Sequence, residues 1–324
     1  MNGLTRWIVG LAAFGAAFQS APAPAQDAYP SRPVRLIVGF APGSAADITA
    51  RVLANKLTQT LGQQVVVEGR PGAGSSLAAD FVAKSPKDGY TLYLSSVANT
   101  INATLNPNQP FDLAKDFAPI AAVTTLPNIL VVHPTTGVKS VPDLITLIKA
   151  QPDKFSYASS GFGTSPHLSG ELFNVMAGVK VVHIPYPGSA QAVSDLLAGR
   201  VQFMFSPAST VLAHVADGKL IALASTQLKR ASAAPNLPTM SEAGLKDFET
   251  GIWFGVMAPA GTPPSVIERL NRALNEAVKS PDVSGPLAKQ GIDMLGGSAD
   301  EFARYVASET QKWARVIEAA GMKK

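Results

Sequence analysis

The stretch SSGFGTSPH, Ser159 to His167, decides how the chain folds. Before it, FSYASS (155–160) alternates and is rich in aromatic residues, as a short strand should be. Gly161 and Gly163 let the backbone turn with its N–H groups exposed. Ser165 can cap a helix that opens at Pro166, where a missing N–H costs nothing, and LSGELFNVMAG continues that helix. The product is a strand, a small polar loop and a helix N-terminus. That end carries unpaired donors and about half a positive charge, which suits an anion. The loop holds no Lys or Arg, so the anion would be held by dipoles and hydroxyls.

A second unit of the same design lies near the start: strand VRLIVGF (34–40), loop APGSAAD (41–47) and helix ITARVLANKLTQTL (48–61). Two such units, far apart in sequence, predict two walls of one cleft. Strand-like and helix-like segments alternate from Pro30 onward, the pattern of an α/β fold with mostly parallel sheets. VANTINATLNPNQPFDLAKDF (97–117) is polar and contains prolines, and reads as a long connection lining the cleft. PIAAVTTLPNILVVHP (119–134), broken at Pro127, and GIWFGVMAPAGTPP (251–264) read as two crossings between domains. The expected division is 26–125 with 250–324 as one α/β domain and 126–249 as the other. Ligands of open α/β sheets bind beyond the carboxyl ends of strands, where both loops sit. Between two domains that gives a cleft closing on a hinge. Ser298 and Glu301 form a capping box for the last helix.

At 324 residues the chain is long enough for two domains. Charged residues make up 15% and apolar ones 46%, which excludes a disordered chain. A formal charge of +4 gives no support to nucleic-acid binding. With no cysteine, disulfides, thiolate metal sites and a Cys nucleophile are all excluded. Arg6, the apolar run from Trp7 to Phe18 and small residues ending near Ala23 or Ala25 read as a secretory signal peptide over 1–25. The remainder is expected to be exported to the periplasm.

Catalytic patterns are sparse. No G-x-S-x-G is present, and Ser165 with His167 supplies only two members of a triad, so a secreted serine hydrolase stands as the rival reading. His133, His167, His183 and His214 show no metal-ligand spacing, and PGAGSSLAAD lacks the third glycine of a dinucleotide fingerprint. No metal, cofactor or catalytic residue is expected. Asp47 and Asp195 are open between structural and ligand-facing roles.

Taken together, YPSRPVRLIVGFAPG-SAAD (29–47), VVVEGRPGAG (65–74), AKSPKDGYTL (83–92), KDFAPI (115–120), GFGTSPHLSGELF (161–173), HIPYPGSAQAVSDLLAGRV (183–201), NLPTMSEAG (236–244), WFGVMAPAGTP (253–263) and KWARVIEAAG (312–321) resemble the Bug family of extracytoplasmic solute receptors. These are the binding components of tripartite tricarboxylate transporters. The resemblance implies a two-domain periplasmic-binding-protein fold of type II, with two crossover strands as hinge and the ligand between domains. It implies capture of a small organic acid, often a dicarboxylate, by a monomer that hands it to membrane permease subunits without catalysis. Ligand-dependent contact with a membrane sensor kinase is an alternative that keeps the same pocket. The candidate ligand-binding set is Phe40, Ala41, Gly43, Ser44, Ala45, Ser95, Ser96, Asn99, Ser159, Ser160, Gly163, Thr164, His167, Tyr186, Phe205 and Ser206. Two departures stand out: Ser44-Ala45-Ala46 where relatives carry glycines, and Asn99 near a position where relatives carry a histidine.

Overall fold

A computed structural model describes residues 29–322. The expected signal peptide over 1–25 lies outside the described residues. Among those described, no helix is long and apolar enough to cross a membrane.

The first part of the chain runs β1 (Val34–Val38), α1 (Ala45–Leu61), β2 (Val65–Gly69), α2 (Ser76–Ala83), β3 (Thr91–Ser96), α3 (Val97–Leu105) and β4 (Phe117–Leu126). Then come β5 (Asn128–Val132), α4 (Val141–Ala150), β6 (Ser156–Ser159), α5 (Ser165–Ala177), β7 (Val182–Pro185), α6 (Ser189–Leu197), β8 (Phe203–Pro207), α7 (Ala208–Ala216) and β9 (Ile221–Ser225). The chain closes with β10 (Ile252–Pro259), α8 (Pro264–Lys279), α9 (Pro281–Ala288), β11 (Asp293–Met294) and α10 (Ala299–Ala319).

Two sheets result, ordered β11-β4-β10-β3-β1-β2 and β7-β6-β8-β5-β9. They make two α/β domains, as a periplasmic-binding-protein fold requires. Each sheet has a parallel core, β2-β1-β3 in one and β7-β6-β8 in the other. The strands that carry the chain between domains run antiparallel to their neighbours: β10 against β3 and β4, and β5 against β8 and β9. The sheets are therefore mixed, where alternation alone had suggested mostly parallel ones.

Strand burial explains the apolar runs. On β5, Leu130 and Val132 enter one core with Phe203, Phe205, Phe173 and Phe248. Ile129 and Val131 enter another, with Met204 and Ala158, on the opposite face. A strand covered by helices on both faces has no polar side, so its sequence is a continuous apolar run.

The segment 97–117 is not one long loop. Its first half is α3, whose Val97, Ile101 and Asn102 are buried. Apolar residues at 97, 101 and 105 keep helical spacing, but the Asn and Thr residues between them conceal it.

The crossings are tied together. The chain passes from one sheet to the other at Pro127 and returns through residues 226–251. Thr226 N–H donates to Asn128 O at 3.0 Å and Thr250 N–H to Thr226 O at 2.9 Å. Asn128 Nδ2 donates to Ser165 Oγ at 2.7 Å, and Ser165 Oγ donates to Gly251 O at 3.1 Å. The start of α5 is thus anchored directly to both crossing segments.

Candidate functional site

Between the domains lies a cavity enclosing about 530 Å³ of empty space, part of it continuous with solvent. Its lining repeats one local pattern. Ser44, Ala45 and Ala46 are the cap and first residues of α1, and Ser96, Val97 and Ala98 are those of α3. Thr164, Ser165 and Pro166 open α5, Gly188 and Ser189 open α6, and Pro207 caps α7. Five helices therefore begin at one cavity, two from the first domain and three from the second.

This convergence follows from topology. Each of these helices follows directly on a parallel-core strand, β1, β3, β6, β7 or β8. The carboxyl ends of those strands face the domain gap, and the helix starts face it with them. The walls between the helix ends are Phe40, Ala41, Ser160, Pro187, Ile252 and Phe254. Among the described residues, no Asp, Glu, Lys, Arg or His lines the cavity. Its positive character comes from helix ends, each about half a charge, and from N–H groups without an intrahelical acceptor.

Some donors are already committed. Gly43 N–H donates to Asp47 Oδ2 at 3.0 Å, and Asp47 N–H to Ser44 Oγ at 3.3 Å. On α1 this leaves the N–H groups of Ala45 and Ala46 at the cavity. Arg51 pairs with Asp47 at 3.0 Å, which fixes Asp47 as a structural acid. Burial opposes its ionisation, but Arg51 and the Gly43 N–H together hold its carboxyl below the usual range. In the second loop Gly163 N–H donates to His167 Nδ1 at 3.2 Å. Asp195 accepts from Tyr186 Oη at 2.8 Å and pairs with Arg200 at 2.7 Å, so it too is occupied structurally.

Of the expected residues, Phe40, Ala41, Ser44, Ala45, Ser96, Ser160 and Thr164 line the cavity. Gly43 and Gly163 shape its loops at φ +76° and +72° without lining it. The others stand behind it. Phe205 is fully buried mid-strand in the second domain's core, because alternation along β8 turns it toward Phe173 and Phe248. Ser206 is likewise buried and meets Thr210 Oγ1 at 2.8 Å. Ser95 donates to Gly255 O across the first sheet at 2.8 Å. Asn99 accepts from Ser96 N–H and from Tyr93 Oη, and Tyr186 is held by Asp195.

Ser159 and His167, both buried, belong to an aromatic stack whose outer end, Phe162, is exposed. His167 lies between Phe162 and His183, with ring centroids 4.7 and 4.1 Å away, and His183 stacks in turn on Tyr157. Ser159 Oγ sits 2.6 Å from His183 Nε2. Burial, with His183 beside it, pushes His167 down to about 3, and burial pushes His183 down to about 4. Both rings are neutral at physiological pH, and the Gly163 bond places the His167 proton on Nε2. Ser165 and His167 share no hydrogen bond: the serine is bound to Gly251 and Asn128, the histidine to Gly163. The nucleophile and base of the hydrolase reading are not assembled. Among the described residues no acidic and histidine cluster could hold a metal.

Val97, Ala98, Pro187, Gly188, Ser189, Pro207, Ile252 and Phe254 line the cavity without having been in the candidate set. The helical spacing of 97, 101 and 105 was the available signal for α3. For Ile252 and Phe254 there was none, since an apolar strand reads only as core.

A gap between two α/β domains, fed by helix N-termini and lined by neutral groups, defines a solute-binding protein. The comparisons agree. Residues 49–322 match the tripartite tricarboxylate transporter family receptor model, TctC, and the chain belongs to that family of periplasmic receptors, which are not enzymes. It is 39% identical over 322 residues to the protein BugT of Bordetella pertussis, covering 99% of each chain. It is similar to the solved structure of Rhodopseudomonas palustris Rpa4515 with adipate, at 35% identity and TM-score 0.86, covering 90% of this chain and 98% of that one. It is also similar to MatC of the same organism with bound malate, at 30% identity and TM-score 0.84, covering 89% and 100%.

Proposed function

We propose that this chain captures a small organic carboxylate, a dicarboxylate by preference, in the periplasm and delivers it to the permease subunits of a tripartite transporter. The observation that carries the reading is the meeting of five helix N-termini at a cavity with no charged side chain. A carboxylate there accepts charge-assisted hydrogen bonds from backbone donors in a partly dry site. A zwitterion such as an amino acid fits poorly, because among the described residues no lining carboxylate is available to its ammonium. The adipate and malate bound by two similar receptors are of the chemistry proposed. Export rests on the signal-like residues Arg6 to Ala25 and on the family's compartment.

Binding draws the domains together, since the cavity takes its helix ends from both. The test is a thermal-shift screen of protein stripped of copurified ligand, using mono-, di- and tricarboxylates and their neutral amides. A ligand at about a hundred times its Kd adds about 2.7 kcal/mol, which is readily resolved. A shift with an acid and none with its amide supports the reading. No shift with any acid overturns it.

A further inference from the structure

We propose that Asn128 is a positioning residue for ligand capture: its side-chain amide ties the start of α5 to both crossing segments, so that an acid seated at Ser165 also sets the angle between the domains. The inference rests on the carboxylate reading above and deepens it.

Ser165 faces two ways. It lines the cavity, and its N–H is the first that α5 offers there, since Pro166 has none. Its hydroxyl is turned to the crossings, donating to Gly251 O at 3.1 Å and accepting from Asn128 Nδ2 at 2.7 Å. One turn on, Ser169 Oγ donates to Ser165 O at 2.8 Å, meets Thr250 Oγ1 at 2.6 Å and accepts from Asn128 Nδ2 at 3.2 Å. Thr226 closes the circuit: its hydroxyl accepts from Asn128 N–H at 3.0 Å and donates to Thr250 O at 2.7 Å.

Asn128, Ser169, Thr226 and Thr250 are fully buried, and Ser165 is nearly so. Polar groups are costly to bury unless bonded, and a bonded set holds one geometry where apolar packing tolerates several. The chemistry selects an amide at position 128. The Ser165 proton is committed to Gly251 O and the Ser169 proton to Ser165 O, so each hydroxyl oxygen needs a donor from Asn128. An Asn side chain supplies two N–H groups, one for each serine, whereas Asp of the same shape is an acceptor when ionised. Asn128 Oδ1 is buried without a hydrogen-bond partner, so the residue is held there through its donors. The backbone joins the domains at Pro127 to Asn128 and returns at Thr250 to Gly251, and this network clamps α5 to both places. A displacement of Ser165 toward a ligand is therefore passed to both crossings.

The experiment is a double-mutant cycle on stripped protein, titrated calorimetrically with succinate, malate and adipate. Its members are the unsubstituted protein, Asn128→Leu, Ser165→Ala and the two combined, each also measured by solution scattering with and without acid. Each single variant should lose about five- to twentyfold in affinity. The combined variant should lose no more than the weaker-binding single variant, because both substitutions cut the same link. The decrease in radius of gyration on adding acid should shrink in Asn128→Leu. Losses that multiply in the combined variant overturn the proposal, since Asn128 would then act independently of Ser165. Unchanged affinity in Asn128→Leu overturns it as well. Should Asn128→Leu fail to fold, Asn128→Asp replaces it in the cycle, and wild-type affinity in that variant is equally contrary. Failure of the unsubstituted protein to bind any acid of the screen overturns the carboxylate reading and this proposal with it. Acid binding without coupling between Asn128 and Ser165 overturns the proposal alone.

Discussion

Asn102, on α3 of the first domain, donates its side-chain amide to the carbonyl of Gly163 in the second domain at 3.2 Å. The same amide donates to Ala98 O at 2.8 Å, inside the helix turn that lines the cavity. Gly163 is held on its other side by His167, and its neighbour Thr164 caps α5 at the cavity. One side chain thus bridges the two domains beside two helix starts that line the cavity. We expect Asn102→Ala to weaken this contact between the two domains by about 1 kcal/mol, the net worth of one hydrogen bond. Affinity for every acid should fall by a similar factor, about fivefold, and the radius of gyration in solution scattering should rise for the ligand-free protein. Unchanged affinity and unchanged scattering would remove Asn102 from closure.

Gly163 is the tighter half of that contact. Its φ is +72°, and a Cβ there would lie 2.6 Å from Asn102 Oδ1. Gly163→Ala should therefore cost stability through backbone strain, by about 1 kcal/mol or more, and should also push the lips apart. Adding Asn102→Gly to that variant relieves the collision but not the strain. Titrations of the single and double variants should show partial recovery of affinity with no recovery of Tm. Full recovery of both would mean that φ carries no cost there.

The stacked histidines predict an acid limit. His167 and His183 stay neutral down to about 3 and about 4, while in the unfolded chain they protonate near the ordinary value of 6.5. As pH falls below about 6.5 the unfolded chain binds protons that the folded protein does not, so stability declines until the folded rings titrate. Each ring contributes a slope of up to about 1.4 kcal/mol per pH unit in that window. Urea midpoints measured from pH 7 to pH 5 should fall, and His183→Phe should flatten the slope. A slope unaltered in that variant would contradict the neutral stack.

Salt should matter little to binding. Among the described residues no Lys or Arg lines the cavity, so there is no strong charge pair at the site for ions to screen. Affinity should change by less than about threefold between roughly 50 and 500 mM sodium chloride. A steep decline would place a basic side chain such as Arg70 or Lys84 on the ligand.

Much of this architecture was legible in turn chemistry. SSGFGTSPH and APGSAAD announce strand, loop and helix start through Gly, Ser and Pro, whose conformational demands are local. Pro127 marks a crossing for the same reason. What stayed hidden depends on packing between distant segments. Phe205 stands mid-strand and points into the core, a matter of register that one apolar run does not reveal. Ile252 and Phe254 belong to the returning strand and meet the cavity only because β10 pairs with β3 beside α3. Asn99 and Asn102 are buried on α3, Asn99 bonded to Tyr93 of the preceding strand and Asn102 to Gly163 across the gap, and from the sequence these polar residues made α3 look like a loop.

The central claim is that backbone and hydroxyl donors at helix starts hold the anion. A crystal structure with an acid chosen from the screen tests it most directly. The predicted result is one carboxylate within about 3 Å of the Ala45 or Ala46 N–H and of the Ser165 N–H, with no ammonium or guanidinium beside it. A carboxylate seated against an arginine or lysine, or an acid bound outside the gap between the domains, would contradict the account.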